Sequence, residues 1–423
     1  MANRFFLYET DFSKAQRDYL GNLISVFNRY SGVINIALKR DDLEKYGLFW
    51  FQTLSSNSTI LFGSKKEISS GGLGIDENAN LALLKSFAEA LERYSLSYKD
   101  EKIIQKLKPN TLSDENLLLI DNSNARYSKE LEYDFIKVSS LVDQLKTYYW
   151  PADKIYVGYD KSKTGYFSTS TGVSLHTVQE QAIMSALLEI VERDTFVINH
   201  YLHPTYIQIS PDSINIPLVE KILRGGFSAR IYSLYNHSVI PVVLTILTNS
   251  ASDSIYGIGC CASFSFEEAI KKSVSEAMFT YNYSKHLLHL RQSNALKIAS
   301  LYEHFLYYHG DNLKFLLNHY DRCDQTNLSK LKKDNLSDNL KTLLSTISTS
   351  FKEILFADIT PKDLASLGLV TVRVIIPGAL DIHTRESYLD ASNKRLESAR
   401  KEMHRLGYTP LSKGLASIPH PMP

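Results

Sequence analysis

The sequence predicts an α+β fold, in which mixed sheets pack against helices that carry repeated glutamate motifs. The main observation is a degenerate pattern that occurs three times in the middle of the chain, each time as a glycine-containing stretch followed by a helix. The second observation is the apolar run "LVTVRVIIPG", which predicts a buried strand ended by Pro377 and Gly378. Short apolar runs in residues 1–65, such as "YGLFWFQTL", predict strands and a helix of an N-terminal layer.

Each repeat has a small residue four positions after an alanine and a glutamate three positions after the small residue. The positions are Ala82, Ser86 and Glu89 in the first repeat, Ala182, Ala186 and Glu189 in the second, and Ala269, Ser273 and Glu276 in the third. Helical spacing places these residues on nearly the same packed face. The first two repeats add Glu92 and Glu192 one turn later, which gives the motif E-x-x-E-R in "EALERY" and "EIVERD".

Polar residues predict where the repeated helices begin. Thr177 with Glu180, and Ser265 with Glu268, fit the S/T-x-x-E capping box. Asp76 is the predicted cap of the first helix. The preceding stretches "SSGGLG", "STSTGVS" and "YGIGCCAS" read as glycine-rich turns.

The repeated carboxylates have two interpretations. Five converging carboxylates need cations, and oxygen ligands without a sulfur or imidazole cluster favour Mg²⁺. Magnesium held by carboxylates usually carries phosphates, so a nucleotide would accompany it, with the glycine-rich turns offering N–H groups. No P-loop sequence is present. The alternative is an exposed acidic face with Arg93 and Arg193 as ion-pair partners.

The C-terminal third combines a helical excursion with a return to strands. Residues 287–350 predict helices with a polar connection near 321–340. A strand before Asp358, a short helix over 361–367 and the "LVTVRVIIPG" strand follow. Arg373 stands inside that apolar strand, where a buried guanidinium needs an internal carboxylate or a bound phosphate.

Composition excludes several classes of protein. The 47 basic and 46 acidic residues form no basic stripe, which argues against a nucleic-acid partner. The chain has neither a signal-peptide pattern nor about 18 uninterrupted apolar residues, so no membrane span is expected. Cys260, Cys261 and Cys323 form no ligand motif, and the adjacent pair is poorly placed for a disulfide. A cytoplasmic protein is expected.

The sequence resembles the YcaO family over about residues 66–383. The resemblance lies in "SGGLGIDENANLALLKSFAEALERYS", "STSTGVSLHTVQEQAIMSALLEIVERD", "GIGCCASFSFEEAIKKSVSEA" and "DITPKDLASLGLVTVRVIIPGALDIH". It implies the YcaO fold, with an ATP/Mg²⁺ pocket that is neither P-loop nor kinase. The implied catalytic domain is 66–423, with 287–350 peripheral, and 1–65 is its N-terminal segment or a partner-contacting layer.

The resemblance also implies roles for individual residues. The implied metal ligands are Glu89, Glu92, Glu189, Glu192 and Glu276. The implied nucleotide contacts are Ser86, Ser174, Thr177, Gln181, Arg193, Lys272 and Arg373. Three places depart from the family: Leu73 replaces a common lysine, Phe279 and Thr280 stand where a glutamine is common, and Thr177 and Gln181 replace an asparagine and a carboxylate.

The segment "PHPMP" at 419–423 has two interpretations. Alternating prolines favour an extended path, either as a frayed terminus or as a stiff arm that is held in place. The resemblance favours the arm, because P-x-P-x-P is typical of YcaO members that cyclodehydrate precursor peptides. It implies that the tail enters the pocket lined by Glu89, Glu189 and Glu276. The Pro423 carboxylate is then the candidate general base, with Arg193 and Arg373 stabilising the transferred charge.

The expected activity is therefore ATP-dependent conversion of Cys, Ser or Thr in a ribosomal precursor peptide to thiazoline or oxazoline, as in thiazole/oxazole-modified microcins. Expected partners are the precursor peptide, a separate E1-like leader-binding protein and a flavin-dependent dehydrogenase, in a dimer or hetero-oligomer. Thioamide or amidine formation remains an alternative. A non-catalytic ATP-binding scaffold is a second alternative, to which Leu73 and Phe279 point.

Overall fold

The structure is a computed structural model of the chain. It describes residues 32–40, 42–56, 71–121, 127–128, 130–159, 168–236, 238–250, 252–288, 303, 306–331, 337–382 and 393–422. These residues form two compact units. Unit 1 comprises residues 1–186 and 353–377, and unit 2 comprises 187–352 and 378–423.

The described residues contain fourteen strands and eleven α-helices. The strands are β1 (Ile34–Arg40), β2 (Phe49–Ser55), β3 (Gly71–Asp76), β4 (Ile104–Leu107), β5 (Tyr133–Ser140), β6 (Thr147–Pro151), β7 (Val173–His176), β8 (Tyr206–Ile209), β9 (Phe227–Ser233), β10 (Val242–Asn249), β11 (Ser252–Ala262), β12 (Cys323–Thr326), β13 (Leu355–Asp358) and β14 (Val370–Ile375). The helices are α1 (Ala79–Ser97), α2 (Asp114–Asp121), α3 (Ala152–Ile155), α4 (Gln179–Leu202), α5 (Pro217–Arg224), α6 (Phe266–Leu288), α7 (Leu313–His319), α8 (Leu328–Leu331), α9 (Leu340–Ile347), α10 (Lys362–Ser366) and α11 (Lys394–Arg405). No helix among these described residues combines the length and hydropathy needed to cross a bilayer.

Unit 1 contains two antiparallel sheets. The first has the order β1-β2-β3, and the second has the order β4-β5-β13-β14-β7 with β6 paired to β5. Helix α1 packs against β2, β3 and β7. Its buried face, including Ala82, Phe87 and Leu91, forms a core with Phe51 of β2 and Leu175 of β7. This packing places one side of α1 against strand main chain.

Unit 2 contains one mixed sheet of order β11-β10-β9-β8-β12, in which only β8 and β12 pair in parallel. Helix α6 packs against β10 and β11. Buried aromatic residues fill the interior, among them Tyr206, Tyr232, Tyr256 and Tyr320. Helix α4 begins in unit 1 and continues into unit 2 at Leu187.

Strand and helix approach each other closely at glycines in both units. A Cβ atom on Gly72 of β3 would lie 1.8 Å from Ser86 O and 2.6 Å from Ala90 N of α1. On Gly259 of β11 it would lie 2.2 Å from Ser273 O of α6. These positions therefore admit glycine alone. The alanine and serine stripe that the repeats predict is the helix side of this contact.

A buried threonine accompanies each of these glycines on the neighbouring strand. Thr53 of β2 pairs with Gly72, and Thr245 of β10 pairs with Gly259. Both hydroxyl groups are hydrogen-bonded to the serine of the facing helix. Thr53 Oγ1 donates to Ser86 O at 2.7 Å, and Thr245 Oγ1 lies 2.8 Å from Ser273 Oγ. The segments β2–β3–α1 and β10–β11–α6 are thus two copies of one ββα arrangement.

The structure corrects two of the three predicted glycine-rich turns and one helix cap. The described parts of the first and third stretches lie in the strands β3 and β11, whereas the second stretch forms a turn at residues 170–172, with Gly172 at a φ of 78°, and only then enters β7. Asn78, and not Asp76, caps α1, because Asn78 Oδ1 accepts from Asn80 N and Leu81 N. Asp76 Oδ1 instead accepts from Asn78 N at 2.9 Å, which fixes the turn before the helix.

The other helix starts and the later elements agree with expectation in part. Ser265 caps α6 as predicted, since its Oγ accepts from Glu268 N at 3.2 Å. Helix α4 begins at Gln179, so Thr177 lies one residue outside the N-cap position. The strand, helix and strand predicted around residues 355–375 are confirmed as β13, α10 and β14.

The excursion at 287–350 is not helical throughout. Its described part contains α7, α8 and α9, but also the strand β12, which adds to the sheet of unit 2 beside β8. The sequence "CDQT" of β12 lacks the apolar alternation of a strand, because β12 is a half-exposed edge. Tertiary pairing therefore decides this element.

Candidate active site

The two E-x-x-E-R motifs lie on partly open helix faces. Around the motif in α1, positions 88, 89, 92 and 93 are half-exposed, while Ala90 and Leu91 are fully buried. In α4 the half-exposed positions are 188, 189, 192 and 193. The same stripe is thus half-open in both helices, and the glutamates lie beside the packed face on which the spacing places them.

In unit 1, strand amides and an arginine hold both glutamates of the motif. Glu89 Oε1 pairs with Arg93 Nη2 at 2.5 Å, and its Oε2 accepts from Leu73 N at 2.5 Å. Glu92 Oε1 accepts from Leu175 N of β7 at 2.8 Å. Arg93 also donates to Gly71 O at 2.7 Å. The carboxylates are therefore fixed in place by the two strands that flank α1.

Unit 2 repeats this arrangement with three glutamates. Glu189 Oε1 pairs with Arg193 Nη2 at 2.7 Å. Glu192 Oε2 accepts from Ala262 N at 3.1 Å, and Glu276 Oε2 accepts from Cys260 N at 2.9 Å, so both are bound to β11. The predicted ion pairs with arginine are confirmed for the first glutamate of each motif. The second glutamate of each motif is bound to strand main chain instead.

The carboxylates of unit 2 repel each other in a partly desolvated setting. Burial raises the pKa of Glu192 well above its usual value, the neighbouring Glu276 raises it further, and Arg193 opposes the shift. Burial disfavours the charge on Arg193, but Glu189 and the surrounding carboxylates raise its pKa overall. A bound cation would relieve this repulsion. Burial likewise raises the pKa of the Cys260 and Cys261 thiols, which keeps them neutral.

The donor set suits Mg²⁺. Every predicted ligand is a carboxylate oxygen, and Glu89 and Glu189 keep 31% and 28% of their side-chain surface exposed. Hard oxygen donors with room for water are what Mg²⁺ requires. Among the described residues, no three His, Cys, Asp or Glu side chains are grouped closely enough to form a complete metal site by themselves. Unit 1 thus offers two of the predicted ligands, and unit 2 offers three.

The predicted nucleotide contacts fall into two groups. Thr177 and Gln181 are exposed, and Lys272 shares the open face of α6 with Glu276, where its Nζ pairs with Glu268 at 2.7 Å. Ser174 lies in β7 and is 9% exposed. Ser86 is fully buried and donates to Leu83 O, so its role in the structure is packing against Gly72.

Arg373 is buried in β14, as the sequence predicts. Its guanidinium donates to Thr169 O at 2.9 Å, and to Lys154 O and Ser168 Oγ at 3.3 Å. Main-chain carbonyls thus provide partners beyond the carboxylate and the phosphate that the sequence suggested. Arg373 ties β14 to the residues that lead into β7.

Three of the residues that depart from the family pattern have roles in the structure that leave the glutamates in place. Leu73 stands where the family commonly has a lysine, but its main-chain amide donates to Glu89 Oε2, and this hydrogen bond does not require a particular side chain. Thr280 is buried in α6 and bonds with Ile258 N and O, at 2.8 Å and 2.7 Å. Phe279 is half-buried and stacks on Tyr283, with ring centroids 5.7 Å apart. The glutamate framework therefore does not depend on these three side chains.

The C-terminal tail is docked, not frayed. Residues 419–422 are buried, and three side chains bond to the main-chain carbonyl groups of residues 418, 419 and 421. His200 Nε2 lies 3.1 Å from Ile418 O, Tyr308 donates to Pro419 O, and Tyr256 donates to Pro421 O at 3.1 Å. Pro423, the predicted base, lies outside the described residues, and its role stays a prediction.

These tail-binding residues were not predicted from the sequence. A histidine or tyrosine within an apolar helix or strand gives no local signal for a partner 165 or 218 positions away. The signal that existed was the tail itself. Prolines remove N–H donors, so the tail offers mainly carbonyl oxygens and needs buried donors around it.

Comparisons with known proteins identify solved structures of the same fold. The chain is similar to a heterocyclase in complex with substrate and cofactor, with a TM-score of 0.74 and 18% identity, over 96% of this chain and 57% of that one. It thus spans a little over half of that protein. It is also similar to a YcaO structure from Methanopyrus kandleri bound with AMPPCP and Mg²⁺, with a TM-score of 0.63 and 17% identity, over 86% of this chain and 90% of that one.

A third similar structure is the E. coli microcin synthetase McbBCD complex, with a TM-score of 0.65 and 17% identity, over 86% of this chain and 95% of the matched one. At these identities the likenesses show the fold. No curated protein matches the chain. A family model, YcaO cyclodehydratase, ATP- and Mg²⁺-binding, matches residues 73–380, which is well over half of the chain. The chain therefore belongs to the YcaO cyclodehydratase family, for which ATP and Mg²⁺ are the cofactors.

Proposed function

We propose that this protein is an ATP-dependent cyclodehydratase that converts Cys, Ser or Thr residues of a ribosomal precursor peptide to thiazoline or oxazoline. The carrying observation is the pair of E-x-x-E-R faces, where arginine and strand amides fix carboxylates on half-open helix surfaces. Such preorganised oxygen ligands are suited to hold Mg²⁺ at ATP phosphates. The residues proposed for this role are Glu89, Glu92, Glu189, Glu192 and Glu276.

In the proposed reaction, the peptide side chain attacks the preceding amide carbonyl, and the resulting oxyanion takes the γ-phosphoryl group of ATP. The ring forms in this attack. The C–O bond to the phosphorylated oxygen then breaks, phosphate leaves, and loss of the amide N–H proton leaves a C=N bond in the ring. Bound Mg²⁺ supplies neutralisation of the phosphate charge. Arg193 and Lys272 add positive charge in unit 2, and Arg373 is proposed to do so in unit 1. The Pro423 carboxylate is the proposed base that accepts the amide proton.

Two observations favour azoline formation over other amide chemistry. One is the "PHPMP" tail, whose buried seat shows that the segment is held in one conformation. The other is the similarity to the structures of a heterocyclase in complex with substrate and cofactor and of the E. coli microcin synthetase McbBCD complex with pro-MccB17 bound. These likenesses also support bacteriocin-type antibiotic biosynthesis as the setting.

The proposed assembly is a multiprotein synthetase. A separate E1-like protein would bind the leader peptide, and a flavin-dependent dehydrogenase would oxidise the azolines, in a dimer or hetero-oligomer. Strands β1 and β2 share a sheet with β3, which supports assigning residues 1–65 to the catalytic domain as its N-terminal segment. The three cysteines are free thiols, which supports a reducing compartment such as the cytoplasm.

The test is a reconstitution of the protein with precursor peptide and leader-binding protein, in which the release of ADP and the mass of the peptide are measured. The proposal expects loss of one water per ring, and Glu89→Gln or Glu189→Gln should lower kcat by about 100-fold or more. Glu220→Gln is the matched control, because Glu220 pairs with Arg224 at the same i,i+4 spacing and this ion pair is exposed. A mass gain from exchange of oxygen for sulfur would identify thioamide formation. ATP binding without peptide-stimulated hydrolysis would favour the scaffold.

A further inference from the structure

Asp194 connects three segments of unit 2, although it is only the residue that follows the second E-x-x-E-R motif. Its Oδ1 accepts from Leu380 N at 2.8 Å. Its two oxygens face Arg395, with Nη2 2.5 Å from Oδ2 and Nε 3.2 Å from both. The carboxylate therefore holds α4, the segment around Leu380 and the first turn of α11 together.

This ion pair is buried, with side chains 5% and 12% exposed for Asp194 and Arg395. The Arg395 guanidinium lies over the Phe351 ring, 4.4 Å from its centroid, and lines a small cleft with Ile190 and Val191 of α4. A bidentate pair of this kind fixes orientation as well as distance. Removal of one partner leaves a buried charge without compensation.

The segment that Asp194 holds leads directly to another carboxylate. Asp381 follows Leu380 in the chain, and its negative charge is one of the causes that raise the pKa of Arg193. Because Leu380 N is bonded to Asp194 Oδ1, the bond restrains the main chain that carries Asp381.

We propose that Asp194 is a positioning residue for Arg193, acting through the Leu380 tether and the Asp381 carboxylate, with Arg395 as the partner that neutralises and orients it. The inference rests on the proposed use of Arg193 at the ATP phosphates. Residues that orient first contacts in this way typically change affinity or activity by about 10- to 100-fold when removed.

The experiment compares three variants of the full chain. Asp194→Ala removes both contacts, Asp194→Asn keeps an oxygen for the Leu380 amide, and Arg395→Met removes only the charge partner. Each is measured for Tm, for affinity toward a non-hydrolysable ATP analogue with Mg²⁺ by calorimetry, and for hydrogen exchange over residues 378–382. Glu402→Gln is the control, because it removes an exposed ion pair with Arg405 on the same helix.

The proposal expects Asp194→Ala to lower nucleotide affinity by about 10- to 100-fold and to speed exchange over 378–382. Asp194→Asn should keep most of the nucleotide affinity that Asp194→Ala loses. Arg395→Met should lower the Tm while most of the nucleotide affinity remains. A purely structural role would make affinity follow Tm across all three variants and would overturn the inference. Unchanged exchange in Asp194→Ala would overturn it as well. If the wild-type protein does not bind the analogue, the proposed function fails, while the exchange result judges the tether separately.

Discussion

Substitution of Gly72 by alanine tests whether the close strand–helix contact positions the site. The new Cβ would lie 1.8 Å from Ser86 O and 2.6 Å from Ala90 N, whereas ordinary contact begins at 3.4 Å. Helix α1 would have to move away by about 1.6 Å, because the obstructing atoms are main chain and cannot rotate. Overpacking of this kind costs about 3 kcal/mol or more. The movement would also pull Glu89 away from Leu73 N.

Tryptophan fluorescence during urea unfolding is the assay, because both tryptophans of the chain, Trp50 and Trp150, lie buried in unit 1. Gly71→Ala is the matched control, since its Cβ would meet Thr53 O at 3.0 Å, which needs a shift of only a few tenths of an ångström. Mg²⁺-dependent nucleotide binding should be lost with Gly72→Ala. A destabilisation below about 1 kcal/mol with binding intact would refute the reasoning.

Two further predictions concern unit 2. Tyr256→Phe combined with Tyr308→Phe removes the hydroxyl donors of two buried tail carbonyls, which should cost about 1–3 kcal/mol of stability for each carbonyl. The Met422 amide should then exchange faster and kcat should fall. Tyr307→Phe is the control, and an unchanged exchange rate in the double variant would contradict the docking. Burial lowers the pKa of His319 to about 3 in the folded protein, from an ordinary value of 6.5. Below pH 6.5 the unfolded chain therefore takes up a proton that the folded protein does not, so the contribution of His319 to stability is complete above pH 6.5 and is lost as the pH falls toward 3. As the pH falls from 6.5 to 5, this histidine should lower the free energy of unfolding by about 2 kcal/mol. In urea titrations, His319→Gln should reduce the dependence of the unfolding free energy on pH over this range. An equal dependence in both proteins would exclude His319 as the cause.

Local spacing predicted the helical half of the site well. A glutamate seven residues after an alanine and three after a small residue lies on a defined helix face whatever surrounds the helix. The i,i+4 pairs of Glu89 with Arg93 and of Glu189 with Arg193 follow from this alone, whereas the half-open state of these faces depends on the packing around the helices. The cap at Ser265 is equally local and was also predicted.

The strand half of the site could not be predicted in the same way. Glycine-rich stretches fit turns and close-packed strands equally well, and the difference lies in partners such as Thr53 and Thr245 on neighbouring strands. Strand β12 has no apolar alternation and exists because β8 offers a free edge. Arg373 meets carbonyl groups that come from residues more than 200 positions away.

The sequence by itself determined that this chain carries repeated helices with glutamates at fixed positions, because helix periodicity is a property of a single segment. The tertiary structure decided what holds those glutamates: amides of Leu73, Leu175, Cys260 and Ala262, on strands brought alongside the helices by packing. It also decided that the proline-rich tail is buried, since donors from three distant elements must meet its carbonyl groups. Contacts between distant segments depend on the folded chain as a whole, and no local pattern encodes them.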